Sequence, residues 1–173
     1  MCKNLPRNYI FFIFCIILLD IVSYIQFPPN WDFNVLFIVI GIACSIVMEL
    51  IFRKLRAKRI DKSKIKSFFI NCLIVPFAEE LIFRNLLLRF FVVQENLMWI
   101  WIIFVSLIFS ICHAESIFKD RVFIPMAFVE YFLSGLLIGF CFYFSSYSII
   151  VAIIIHGTQN LIVLIERWKL GFN

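Results

Sequence analysis

"RKLRAKRIDKSKIK", residues 53–66, holds eight of the sixteen Lys and Arg residues of the chain in one polar break between two long apolar runs. Around it lies a 173-residue sequence that is 64% hydrophobic and only 16% charged, with a mean hydropathy of +1.02. Soluble domains are about 45–50% apolar, so the composition is that of a membrane protein. A basic break of this kind marks the cytoplasmic side of a polytopic chain, because Lys and Arg are retained there during insertion.

Working outward from that break, a helix needs about 20 mainly apolar residues to cross a bilayer. That ruler predicts six spans, at 8–27, 33–52, 67–92, 97–114, 122–144 and 147–166. With the amino terminus inside, the inner segments collect fourteen of the sixteen basic residues, and only Arg84 and Arg89 remain within a span. The outer loops "PPNWD", "QEN" and "SSY" carry no Lys or Arg. The expected fold class is therefore all-α: a polytopic bundle of about six transmembrane helices with both termini cytoplasmic. Lys3 and Arg7 precede Tyr9–Phe27 as in a signal peptide, but no small-residue cleavage site follows, so an uncleaved helix is expected. No linker or repeat divides the chain. Residues 1–65 read as two amino-terminal helices plus the basic loop, and 66–173 as a helical core.

The net charge of +5 does not indicate nucleic acid, since the basic residues flank apolar segments and no RNA- or DNA-binding signature appears. The six cysteines are scattered through the apolar runs with no CxxC or metal-ligand spacing and read as packing residues.

Against this background the third span is unusual, because "PFAEELIFRN", residues 76–85, places Glu79, Glu80 and Arg84 in an otherwise apolar run. An ionisable group at the centre of a membrane helix costs about 2.5–3.5 kcal/mol on insertion scales and so points to function and to a partner. At 100° per residue, Glu80 and Arg84 lie on one face as an i, i+4 pair, whereas Glu79 points about 100° away. A structural ion pair thus explains Glu80 and Arg84 and leaves Glu79 over. The only two histidines, His113 in "FSICHAES" and His156 in "IIIHGTQN", lie in other apolar spans, and Asn160 shares a helix face with His156. At ~1.5 Å per residue these groups sit roughly 9–20 Å from the inner basic residues, all at mid-membrane or in the inner half. Pro76, which is able to kink the third span, helps bring them level.

A carboxylate and an imidazole together deprotonate water, and an imidazole and an amide donate to a developing oxyanion. That division suits amide hydrolysis without a cofactor. The alternative is a Zn²⁺ site formed by Glu79, His113 and His156, although HExxH is absent. Nucleophilic catalysis has less in its favour, since Cys112 and His113 diverge as helix neighbours and Ser110 and Ser134 lack a distinguishing context.

The motifs Glu79-Glu80-Leu-Ile-Phe-Arg84, Phe109-Ser-Ile-Cys-His113 and His156-Gly-Thr-Gln-Asn160 occur in that order in three apolar spans. In this the chain resembles the CPBP intramembrane endopeptidases, which include type II CAAX prenyl proteases and bacteriocin-processing or self-immunity proteins. The likeness covers residues 66–166 and extends to Pro76, Gly135 and Gly139; Asn85 departs from it, standing where many relatives have Gly. The resemblance implies that Glu79 and His113 activate water, that His156 and Asn160 form an oxyanion hole, and that Glu80 and Arg84, with Phe109, support them. It further implies a membrane-associated peptide or protein substrate at a site opening toward the cytoplasm. Asn is a poor zinc ligand and a good amide donor, which favours metal-free hydrolysis over the Zn²⁺ alternative.

Two other function classes fit the same polar cluster: a noncatalytic immunity or peptide-binding protein, and a small transporter relaying protons. Six spans without an inverted repeat give the transporter little support. Remaining features have structural readings. Gly135 and Gly139 form a close helix contact within the bundle. Glu49 and Arg53 form an interfacial i, i+4 pair, and the many Phe side chains provide lipid-facing and packing surface. Trp31, Trp99, Trp101 and Trp168 form an aromatic belt. Asp20 and Glu130 lie inside spans one and five.

Overall fold

A computed structural model describes residues 29–56, 70–91, 97–118 and 124–171, together with Leu18 and Ile21. The first predicted span (apart from those two residues), most of the basic loop, Asp20, and the side chains of Arg53 and Trp168 lie outside the described residues. Apart from residues 29–34 and the turn at 145–148, the described residues are helical, and no strand forms among them. Five helical segments follow in order: α1 (Val35–Arg56), α2 (70–91), α3 (Met98–Phe118), α4 (Ile124–Phe144) and α5 (Ile149–Gly171). The spans predicted from residue 33 onward each correspond to one of them. Val35–Phe52 and Ala127–Phe144 are long and apolar enough to cross a membrane, while Met98–His113 and Ile149–Ile165 are shorter apolar stretches.

The outer faces of these helices are apolar too. Leu36, Val39, Val47, Ile51, Ile100 and Ile111 are all exposed, which a water-facing surface of this extent would not tolerate and a hydrocarbon surround does. Polar groups go inward instead: Ser45, Glu49, Glu80, Arg84, Asn85 and His156 are buried.

The α3–α4 hairpin is the most extensive pairing, and α5 is the central element, packed on α1, α2 and α4. Its inward residues Ile149, Val151, Ala152 and Ile155 are fully buried. Gly135 and Gly139 set the α3–α4 distance. A Cβ at Gly135 would lie 3.1 Å from the Ser106 side chain, and one at Gly139 would lie 2.9 Å from Ile102. The GxxxG is thus a contact inside the bundle. Ser106 and Ser110, buried in α3, spend their hydroxyl hydrogens on the carbonyls of Ile102 and Ser106, at 2.7 and 2.9 Å.

Two features shape the α4–α5 turn and the middle of the bundle. The carboxyl end of α4 closes as a Schellman motif: Tyr147 N–H donates to the Phe142 carbonyl (2.8 Å) and Ser146 N–H to that of Tyr143 (3.0 Å). Ser146 and Tyr147 both take positive φ, 59° and 64°. The turn is clasped from the "PPNWD" side. Asn30 Nδ2 donates to the Ser146 carbonyl (2.9 Å), Ile149 N–H donates to the Asn30 carbonyl (2.8 Å), and the Ser148 hydroxyl donates to the Asp32 carbonyl.

The middle feature is α2. It is an α-helix only over Val75–Glu80 and at its last turn, Arg89–Phe91; Ile70–Ile74 and Leu81–Leu88 are π-helical. Arg89 N–H, for example, reaches back five residues to the Arg84 carbonyl. Pro76 stands at the start of the central α-helical stretch. Having no N–H, it cannot bond the Cys72 carbonyl four residues back as an α-helix requires. That carbonyl lies against Gly157 of α5, where a Cβ would come within 2.5 Å of it. A proline that frees a carbonyl and a glycine that admits it therefore bring α2 and α5 together next to His156.

Candidate active site

The central α-helical stretch of α2 presents two consecutive carboxylates in different directions, and each finds partners on other helices. Glu80 turns inward. Its Oε1 accepts a 2.7 Å hydrogen bond from His156 Nδ1 on α5, and its Oε2 lies 3.3 Å from Arg84 Nε. The Arg84 contact is an ion pair outside good hydrogen-bond alignment, since neither atom makes a hydrogen bond among the described residues. Arg84 Nη2 donates to the Gly135 carbonyl of α4 at 3.2 Å, and the guanidinium lies over the Phe109 ring, 5.3 Å from its centroid. A buried charge with one partner removed is costly. Here Glu80 and Arg84 neutralise each other while binding α2 to α4 and α5.

Glu79 turns toward both histidines. Its Oε1 is 3.6 Å from His113 Nε2 on α3, and its Oε2 is 3.5 Å from His156 Nε2 on α5. The side chains of Glu79 and His113 are 25% and 22% exposed, against 6% for His156, 1% for Arg84 and none for Glu80. The cluster is thus graded, with a sealed charge pair at the back, His156 between, and Glu79 and His113 at the opening.

The hydrogen bonds make Nδ1 the donor in both rings. His113 Nδ1 lies 2.8 Å from the Phe109 carbonyl, which can only accept, so Nδ1 is the donor. His156 Nδ1 faces the Glu80 carboxylate and is a donor for the same reason. In the neutral rings both Nε2 lone pairs therefore point at Glu79. Phe109 contributes more than its carbonyl, because its ring packs on His113 at 4.2 Å and edge-on to Phe83 and His156 at 5.1 and 5.8 Å. The FxxxH spacing puts the aromatic one turn below the imidazole, so carbonyl and ring act on the same side chain.

Glu79, Glu80, Arg84, Phe109, His113 and His156 meet in one place. Asn160 lies one turn beyond His156 on α5, half-buried. Among the described residues no group of three His, Cys, Asp or Glu side chains is arranged to hold a metal ion. The Zn²⁺ set weighed from the sequence, Glu79, His113 and His156, presents the two oxygens of Glu79 to different imidazoles. Of the possible nucleophiles, the two serines are otherwise engaged: Ser110 bonds its own helix, and Ser134 donates to Gln159 Oε1 at 2.5 Å; Cys112 is a free cysteine on the exposed face of α3.

Three contributions had no signal in the sequence. The Glu80–His156 bond joins residues 76 positions apart. Gln159, satisfied by Ser134, also donates to Ser45 Oγ at 3.1 Å, which ties α1, α4 and α5 together at the level of the site. Tyr131 of α4 packs on His113 with ring centroids 4.8 Å apart. Periodicity does not say which helix faces Glu80; Ser45 and Gln159 fall in no recurring spacing, and aromatics are too common here for one tyrosine to stand out. Asn85, the departure noted in the sequence, is buried and accepts a 3.3 Å bond from Arg89 Nη1, so it serves a charge within the span.

No curated protein and no solved structure matches the chain. A family model does: that of the type II CAAX prenyl endopeptidase Rce1-like proteins, over residues 61–162. The matched region contains all three motifs and every residue of the cluster just described. It spans more than half of the sequence, and with the apolar helices it identifies a membrane protein of protease ancestry. The chain belongs to the type II CAAX prenyl endopeptidase Rce1-like family.

Proposed function

We propose that this protein is a multi-pass intramembrane endopeptidase that hydrolyses a peptide bond of a membrane-associated protein or peptide, using water activated by Glu79 and His113. The observation that carries this reading is the Glu79 carboxylate lying 3.6 and 3.5 Å from the Nε2 atoms of His113 and His156. With the His113 ring neutral, the first pair consists of two acceptors, a carboxylate oxygen and an unprotonated Nε2, 3.6 Å apart. Two acceptors repel unless a donor lies between them. Water donating one hydrogen to each satisfies both and leaves a lone pair aimed outward as nucleophile.

In the proposed reaction that water oxygen bonds to the substrate carbonyl carbon while its proton passes to Glu79. The carbonyl oxygen becomes an oxyanion, stabilised by Asn160 and by His156 Nε2–H. Because Nδ1 of His156 already donates to Glu80, Nε2 donates only when the ring carries both protons. Two carboxylates flank the ring, Glu80 at 2.7 Å from Nδ1 and Glu79 at 3.5 Å from Nε2. Collapse of the tetrahedral intermediate breaks the C–N bond, and the proton held by Glu79 moves through His113 to the leaving amine. No metal is required in this scheme. Glu80 orients His156, and Arg84 balances Glu80.

The family match makes a prenylated CAAX sequence the first substrate to try, and a bacteriocin-type or other membrane peptide precursor the second. By the positive-inside pattern the site opens toward the cytoplasm. The test is cleavage of a fluorogenic farnesylated CAAX peptide, and of its unprenylated counterpart, by the full chain in proteoliposomes with and without 1,10-phenanthroline. Cleavage that persists with the chelator supports the metal-free scheme, and loss restored by Zn²⁺ overturns it. Failure to cleave either peptide or any membrane-anchored precursor, by protein shown to be folded, counts against the enzyme.

A further inference from the structure

Several hydroxyls of this bundle turn back on their own helices. Ser45, Ser106, Ser110 and Thr158 each donate to the carbonyl one turn earlier, at 2.7–2.9 Å, which satisfies them without joining one helix to another. Ser134 of α4 behaves differently and sends its hydrogen across to Gln159 Oε1 on α5. The same amide donates from Nε2 to Ser45 Oγ on α1 at 3.1 Å. Because Ser45 has already given its hydrogen to the Gly41 carbonyl, its oxygen can only accept, and the amide cannot be reversed. Ser134, Gln159, Ser45 and the Gly41 carbonyl thus form one directed chain of hydrogen bonds across three helices.

That chain lies on a particular face of α5. Ile155 and Gln159 are four residues apart and share a stripe, as do His156 and Asn160, and the two stripes are separated by about 100°. The first faces α1, where a Cβ on Gly41 would collide with the Ile155 side chain and Ser45, one turn on, meets Gln159. The second carries His156 to Glu80 and Glu79 of α2. A side chain bonded to two other helices at once fixes the roll of α5 about its own axis, and the next residue on that helix is Asn160. At the ~5–6 Å radius of a helix with its side chains, a roll of about 10° displaces a side-chain tip by about 1 Å. A catalytic group misplaced by about 1 Å costs on the order of 100-fold in rate.

We propose that Gln159 is a positioning residue for Asn160: bonded to Ser134 of α4 and Ser45 of α1, it holds α5 at the roll that directs the Asn160 amide to the developing oxyanion. The proposal rests on the hydrolytic reading above. Asn160 keeps interactions of its own, and the clamp sets the point on α5 from which they are made. It also makes α1, which lies outside the matched residues 61–162, part of the catalytic framework.

The test measures kcat and KM on the farnesylated CAAX peptide in proteoliposomes, and melting temperature in detergent, for full-chain Gln159→Leu, Ser45→Ala, Asn160→Ala and the Gln159→Leu/Asn160→Ala double variant. Leucine is close to glutamine in size, and Ser134, once freed, can turn back on its own helix as the other hydroxyls do, so melting is expected to fall by no more than about 4 °C. Gln159→Leu is expected to lower kcat roughly 10- to 100-fold with KM unchanged within about twofold. Ser45→Ala removes one end of the clamp and is expected to lower kcat about 3- to 10-fold. In the Asn160→Ala background Gln159→Leu should add less than about a twofold further loss, because the group it positions is gone, whereas a general destabilisation would multiply the two losses. The proposal is overturned if Gln159→Leu keeps full kcat, if its defect lies in KM, or if the two losses multiply; should Gln159→Leu not fold, Ser45→Ala decides, and full kcat in that variant overturns it. Asn160→Ala at the parental kcat sinks the oxyanion assignment and this proposal with it, whereas an impaired Asn160→Ala beside a fully active Gln159→Leu sinks only the role of Gln159. A folded parent that cleaves no CAAX peptide removes the hydrolytic reading and the proposal together.

Discussion

Glu79 and Glu80 are adjacent and chemically identical, yet their surroundings give them opposite duties. Glu80 is sealed between Arg84 and His156, and Glu79 faces the opening between two imidazoles. Their substitution should therefore separate stability from activity. Arg84→Leu leaves the Glu80 charge buried with one partner fewer, which costs about 3–5 kcal/mol by the usual penalty for breaking a buried pair. The expected outcome is a large fall in melting temperature in detergent and loss of folded protein; an Arg84→Leu variant as stable as the parent would show that the pair carries no structural weight. The division of labour was legible in the sequence, because a 100° step per residue parts neighbours on a helix while an i, i+4 spacing unites Glu80 with Arg84. The bond from His156 to Glu80 was not legible. Periodicity says which face a residue occupies and nothing about which helix lies across from it.

At the scale of the helices, the site depends on how closely α2 meets α5. Gly157 admits the Cys72 carbonyl that Pro76 leaves free, and Gly157→Ala would push a methyl group to within 2.5 Å of that oxygen. Rigid backbone on both sides gives it nowhere to go, so the variant should lose about 1–3 kcal/mol. It should also lose most of its activity, since His156 is the adjacent residue and separation of the helices lengthens its bond to Glu80. Equal stability and activity in Gly157→Ala would contradict this close approach. At the Schellman turn the expectation runs the other way. Ser146 holds φ of 59°, a conformation that costs a side-chain-bearing residue roughly 1 kcal/mol. Ser146→Gly should raise the melting temperature without altering cleavage; a lower one would mean that the serine side chain outweighs its strain. Helix existence was legible from residue 33 onward, since long apolar runs broken by polar turns leave few alternatives. The π-helical stretches of α2 were not. One residue per turn more or fewer leaves no mark on a run that is apolar on nearly every face, and Pro76 promised only a kink.

For the whole molecule, the topology we propose assigns the site to one side of the membrane. Residues 53–66 carry the strongest topology signal, and the proposed six spans with both termini cytoplasmic would put every other basic cluster on the same side. Reporter fusions or cysteine labelling in intact cells should place residues 1–7, 57–65 and 170–173 inside and residues 28–32 and 145–147 outside; opposite sides for the two termini would require an odd number of spans. Convergence of the motifs was half legible. Depth along each helix put Glu79, His113 and His156 between roughly 9 and 20 Å from the inner basic residues, but only tertiary packing, set by Pro76 and a handful of glycines, decides that α2, α3 and α5 turn those faces toward one another. The chemistry assigned to that meeting point rests on Glu79. The most direct measurement is therefore the turnover of a farnesylated CAAX peptide by Glu79→Gln in proteoliposomes, beside its melting temperature. Loss of a general base should lower kcat by about 10²–10⁴ while the fold, which does not depend on this partly exposed side chain, melts as the parent does. A Glu79→Gln protein that is folded and cleaves at the parental rate would contradict the assignment.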